Sequence, residues 1–118
     1  MRPRRADPVT PDEYRRAIAR EESEDDLLTD FLNLAALLGW LRYHVRNSRR
    51  GIIQGDVGFP DCVLVRPPRL LAVELKRDGA EPTRSQVSWL EALAGSGAET
   101  YVLRPSDWVS GRIEGILR

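Results

Sequence analysis

Apolar residues recur at helical spacing between Glu24 and Leu38: Leu27, Phe31, Leu34, Ala35 and Leu38 share one stripe, and Leu28, Leu32 and Ala36 widen it. Gly39 stops this predicted helix. Leu37 begins a further apolar flank, so the helix is expected to be central or covered by a partner. Glu24 precedes Leu27 by three residues and Phe31 by seven, which puts it on the core-facing side, whereas Asp26, Asp30 and Asn33 lie on another face. Upstream, Thr10-Pro11-Asp12-Glu13 combines a cap, a proline at the first helical position and an acid three residues after the cap. It predicts a short helix from Pro11 to about Glu22, behind a loose basic tail over residues 1–10.

Beyond Gly39 the period changes. Trp40 to Arg46 alternates like a strand, and residues 47–58 read as a glycine-punctuated loop. Asp61 to Val65 and Leu70 to Leu75 are apolar on both faces and are joined by Arg66-Pro67-Pro68-Arg69. They predict an antiparallel hairpin with a four-residue connection, covered on both sides. Thr83-Arg84-Ser85-Gln86 is a capping box that opens a helix running to Gly95. Glu99 to Leu103 predicts a strand, and Ser106 a cap for a last helix from about Asp107 to Leu117. The order predicts an α/β sandwich around a small mixed sheet, a single domain over residues 1–118 without internal repeats.

Composition narrows the chemistry. One cysteine, Cys62, and one histidine, His44, leave no internal disulfide and no Cys/His zinc site. Cys62 reads as a small buried apolar residue, and His44 as a strand residue near the substrate side or an ordinary core or surface histidine. Trp40, Trp89 and Trp108 read as core or interface residues. No stretch approaches the roughly 20 apolar residues of a membrane span. The basic N-terminus has no apolar segment of the secretory kind, so a cytoplasmic protein without membrane contact is expected.

The net charge of zero hides a segregation. Residues 21–30 hold six acids and no base, and residues 31–55 hold Arg42, Arg46, Arg49 and Arg50 with no acid. The second stretch is the local basic footprint that phosphate binding needs. Of 18 basic residues 17 are arginine, which makes the single lysine, Lys76, a candidate for a role arginine cannot fill.

If Val65 faces Leu70 in the hairpin, Asp61 lies opposite Glu74, and Lys76 follows two residues along on the face of Glu74. Opposed like charges in a sheet destabilise it. Two carboxylates there call for positive charge between them, from Lys76 or from a divalent ion that prefers oxygen ligands, magnesium or manganese. Plainer roles remain open at each position: Asp61 capping a turn after Pro60, Glu74 paired with Lys76 in solvent, Gln86 as a capping-box member, Glu24 as a first-turn acid.

Gly58-Phe59-Pro60-Asp61 followed by Glu74-Leu75-Lys76 resembles the PD…ExK signature of the PD-(D/E)XK nucleases. The acidic helix ending in LLGW, then RYHVRNSRR, GFPD, VELKR, TRSQVSWL and YVLRPSDW, resemble the VRR-NUC branch, the virus-type replication-repair nucleases, from about Ser23 to Trp108. The resemblance implies a restriction-endonuclease-like fold and Mg2+ or Mn2+ held by Asp61, Glu74 and the Leu75 carbonyl. It further implies Lys76 as base or electrostatic clamp, Gln86 orienting water or phosphate, and Glu24 completing the outer metal shell. The first helix is more acidic than the family pattern. The expected activity is an endonuclease on branched DNA of the Holliday-junction-resolvase kind, without appended domains or a small-molecule cofactor. Arg46, Arg49 and Arg50 would lie on the DNA backbone. Such an enzyme is expected to act as a homodimer, with Leu28, Leu32 and Leu37 of the first helix at the interface. A flap or nick nuclease, or a DNA-binding module that kept the fold without catalysis, are the alternatives.

Overall fold

The computed structural model describes Pro11, residues 24–44 and residues 54–118, with Glu24 and Asp25 as backbone alone. The helix predicted over Pro11 to Glu22, apart from Pro11 itself, and the arginines 46, 49 and 50 lie outside the described residues. Helix α1 spans Glu24–Leu37, and Gly39, at φ 87°, turns the chain into strand β1, Leu41–His44. Strands β2, Cys62–Arg66, and β3, Arg69–Leu75, form the hairpin. Helix α2, Arg84–Gly95, leads to strand β4, Glu99–Leu103.

The strand order is β1-β2-β3-β4; the first two pairings are antiparallel and β3–β4 is parallel. The small mixed sheet flanked by helices is the expected α/β sandwich. The hairpin register is also the expected one, with Val65 on Leu70. The connection is shorter than expected: Arg66 pairs with Arg69, leaving only Pro67 and Pro68 in the turn. Two residues without an amide hydrogen cannot extend a ladder, yet they turn it, and the strands close up to them.

Alternation along the strands sorts side chains between two layers. Cys62, Leu64, Leu71, Val73, Leu75 and Leu103 face Leu27, Phe31 and Ala35 of α1, joined by Ile113 and Leu117 from the C-terminus. Leu71 through Leu75 are buried without interruption, so β3 is covered on both faces as expected. β2 is not: only Cys62 and Leu64 are buried along it. Helix α2, the crossover between the parallel strands, lies against β3 and β4, and its buried Leu90 stands apart from the main core.

The single C-terminal helix of the prediction is two: α3, Pro105–Val109, and α4, Arg112–Leu117. Gly111, at φ 84°, breaks them in a conformation that favours glycine. Ser106 does not cap the first; the Asp107 carboxylate accepts from the Arg104 amide at 2.9 Å, with Pro105 opening the helix. The leucines expected at an interface are also reassigned. Leu28 and Leu32 pack against the core, and only Leu37 stands out, 82% exposed.

Candidate active site

Asp61 and Glu74 meet at the open end of the hairpin, opposite the proline turn. Asp61 immediately precedes the first paired residue of β2, and its Oδ2 accepts from the Leu75 amide at 2.8 Å. Glu74 alternates away from Val73 and Leu75, out of the main core, yet is only 2% exposed. Its Oε2 lies 3.2 Å from Lys76 Nζ, itself 13% exposed. Its Oε1 is buried with no hydrogen-bond partner.

A buried carboxylate oxygen without a donor costs free energy unless a ligand meets it or the group takes a proton. The local field agrees. Burial, and then the Asp61 charge, push the Glu74 carboxyl up to about 7 against the pull of Lys76. The neighbouring Cys62 thiol is pushed up to about 12 by burial, then by the charges of Asp61 and Glu74. It is buried, as expected. Negative charge at this sheet edge thus exceeds what Lys76 offsets.

The donor set suits a hard divalent cation: two carboxylates, one of them with an oxygen left over. Among the described residues no third histidine, cysteine, aspartate or glutamate joins them in a cluster. Glu24, expected to complete the shell, has its side chain outside the described residues.

Gln86 sits at the third position of α2, and its capping box is formed. Its Oε1 accepts from the Thr83 amide at 2.8 Å, while its own amide donates to Thr83 Oγ1 at 3.2 Å. The capping role and a site role are compatible only through the side-chain NH2, which can donate to water or phosphate.

Three contacts that the linear sequence does not announce brace this corner. The Trp89 indole donates to the Asp56 carbonyl at 3.2 Å, and Phe59 meets the Trp89 ring edge-on at 5.1 Å between centroids. Gly58, at φ 104°, passes so close to α2 that a Cβ there would lie 2.6 Å from the Ser85 carbonyl carbon. The segment entering Asp61 is thereby seated on the helix that carries Gln86. An open cavity of about 820 Å³ lies alongside, between Asp56, Val57 and the Ser85–Trp89 face of α2. His44 Nδ1 lies 2.9 Å from the Asp61 carbonyl oxygen. The close approach at Gly58 depends on where α2 packs, and the histidine contact on the β1–β2 register, which no local pattern encodes.

A family model described as the VRR-NUC domain matches residues 10–107. A solved structure described as a VRR_NUC domain superposes with a TM-score of 0.59 at 21% identity, covering 79% of this chain and 97% of its own. A second, a VRR_NUC domain protein, gives 0.61 at 22% identity over 80% of this chain and 85% of its own. The Holliday junction resolvase Hjc of Archaeoglobus fulgidus gives 0.45 at 29% identity over 69% of this chain and 63% of its own. A comparison with curated proteins finds no match.

Proposed function

Since the chain belongs to the VRR-NUC family of nucleases, matched over residues 10–107, we propose that it is a Mg2+- or Mn2+-dependent endodeoxyribonuclease acting on branched DNA. The observation that carries metal dependence is the Glu74 oxygen, buried and unpartnered beside Asp61. The branched substrate follows from the resemblance to resolvase-like members noted in the sequence.

Asp61, Glu74 and the Leu75 carbonyl would hold the ion. When bound, it supplies charge for the developing phosphoryl negative charge and a more acidic water. The protein's own residues do the rest. The Leu75 amide orients the Asp61 carboxylate, and Glu74 holds the Lys76 ammonium at 3.2 Å. Lys76 keeps further N–H donors for a non-bridging phosphate oxygen, an electrostatic clamp that strengthens as charge develops. The Gln86 NH2 orients water or phosphate from α2. Packing of Gly58, Phe59 and Trp89 keeps these two sources of side chains in register. Glu24 in the outer shell, and Arg46, Arg49 and Arg50 on the DNA backbone, complete the proposed site.

The decisive experiment is cleavage of labelled four-way junctions, flaps, nicked and linear duplexes with Mg2+, Mn2+ or EDTA. Junction cutting that requires metal is expected. Preferential cutting of flaps or nicks would move the substrate assignment, and binding without cleavage would make the protein a DNA-binding module.

We further propose a homodimer, since paired cuts on opposed strands need two sites. Its apolar surface would be Leu37 with Leu41 and Tyr43 of β1, the latter two 72% and 64% exposed, in place of Leu28 and Leu32. Light scattering should give twice 13.4 kDa. A Leu41→Glu variant should fall to the monomer mass with its fold retained.

A further inference from the structure

His44 has no part in the mechanism above, yet it holds the main chain of Asp61. It pairs with Cys62, the first residue of β2, in the last pair of the β1–β2 ladder described. Asp61 lies one residue past that pair. The His44 ring reaches its carbonyl oxygen at 2.9 Å. A carbonyl oxygen only accepts, so Nδ1 carries the hydrogen and donates.

Asp61 is therefore gripped twice, from two different strands. The Leu75 amide of β3 holds its carboxylate at 2.8 Å, and His44 of β1 holds its carbonyl. The first bond sets where the carboxylate oxygen sits; the second sets the direction from which the main chain delivers it. Within one protomer, Leu41 and Tyr43 of the same strand are exposed, so β1 packs on its own chain through its other face. The ring is half-buried and in reach of the site's edge.

We propose that His44 is a positioning residue for Asp61: through its bond to the Asp61 carbonyl it holds the carboxylate in the orientation that binds the divalent ion beside Glu74. The assignment rests on the metal-dependent reading above. It differs from a structural role for a strand-end histidine in requiring one particular donor atom. Asparagine places an amide nitrogen where the histidine Nδ1 lies, so it retains the donor; leucine fills the space without it.

The test uses the full chain with His44→Leu and His44→Asn, and two readouts besides cleavage. The first is the amide resonance of Leu75 in metal-free protein, which reports the bond to Asp61. The second is Mn2+ affinity by calorimetry, without DNA. His44→Leu is expected to shift the Leu75 resonance and weaken Mn2+ binding at least tenfold, the scale typical of lost outer-shell partners. His44→Asn is expected to return the Leu75 resonance to its original position and the Mn2+ affinity to within about threefold, on the same scale. An unmoved Leu75 resonance in His44→Leu, or an asparagine variant as impaired as the leucine one, overturns the assignment. If the unaltered protein takes up no Mn2+, the metal reading fails on that result alone, while the Leu75 resonance still decides what His44 does to Asp61.

Discussion

The two ends of the β2–β3 hairpin carry charge in opposite ways. At the proline turn both arginines are answered. Arg66 donates to the carbonyls of Leu38, Leu117 and Arg118 at 2.7, 3.1 and 2.9 Å, and its guanidinium lies 4.4 Å from the Trp40 ring centroid. The Trp40 indole donates to the same Leu117 carbonyl at 2.8 Å. Arg69 makes a two-pronged bond to Glu99, 2.7 Å on each side, and Tyr101 completes that carboxylate at 2.9 Å. Here Arg66 closes the carbonyl ends of two helices onto the sheet. At the open end, Glu74 is more deeply buried and less satisfied. Arginine, planar and rich in donors, ties off the structural end, whereas the one lysine stands at the end with charge left over. The contrast fits the proposed metal site: charge is answered at the turn end and left over at the open end.

The sharpest way to break this contrast is to empty the open end. Asp61→Ala and Glu74→Ala should each lower metal-dependent cleavage by about 10³-fold, a loss of several kcal/mol of charge stabilisation, with the fold retained. Single-turnover cleavage with circular dichroism checks both halves, and an active alanine variant at either position would remove it from the metal site.

A second measurement reads the same end in stability. Because the folded Glu74 carboxyl is raised to about 7 from an ordinary 4.5, the folded protein binds its proton more tightly than the unfolded chain. Metal-free stability from this group is then full below about pH 4.5 and declines as pH rises toward 7. The decline is on the order of 3 kcal/mol, since each tenfold change in proton affinity is worth about 1.4 kcal/mol. Denaturant titrations from pH 4.5 to 8 should show it, and Glu74→Gln should flatten the slope while abolishing cleavage.

Lys76→Arg probes whether the open end needs a compact ammonium. Arginine keeps the charge, enlarges the head and holds its proton at any accessible pH. A loss of about 10²-fold in turnover is expected, the scale of one misplaced donor to developing charge. A rate near that of the unaltered protein would reduce Lys76 to generic charge.

At the turn end the effects should fall on stability instead. Arg66→Met takes the donor from the half-buried Leu38 carbonyl, while Leu117 keeps the Trp40 indole, at a cost of about 1–2 kcal/mol in denaturant unfolding, with cleavage per folded molecule unchanged. Smaller still, Glu99→Ala should cost about 1 kcal/mol or less, because the Arg69–Glu99 pair is about one-third exposed and screened by solvent. Loss of cleavage in either folded variant would mean the two ends are coupled.

Much of this was written locally. The α1 stripe, the Thr83–Gln86 box and the Val65–Leu70 register are short-range patterns, and each formed as expected. The register alone carries Asp61, Glu74 and Lys76 to one edge, since side chains alternate strictly along strands that a tight turn has already aligned. Where the pattern was read too simply, a backbone conformation decided: Gly111 at φ 84° divides a helix that periodicity alone would have continued. Burial was decided only by the tertiary structure. Leu28 and Leu32 look surplus on a helical wheel, yet they pack on a core that includes Ile113 and Leu117 from the far end of the chain. The orphaned oxygen of Glu74, the Arg66 clasp on two helix ends and the His44 bond to Asp61 are of the same kind. Residue type and spacing determine which groups reach a sheet edge. Whether those groups are buried, paired or left waiting depends on partners 14 to 77 residues away, and only the packed chain brings those together.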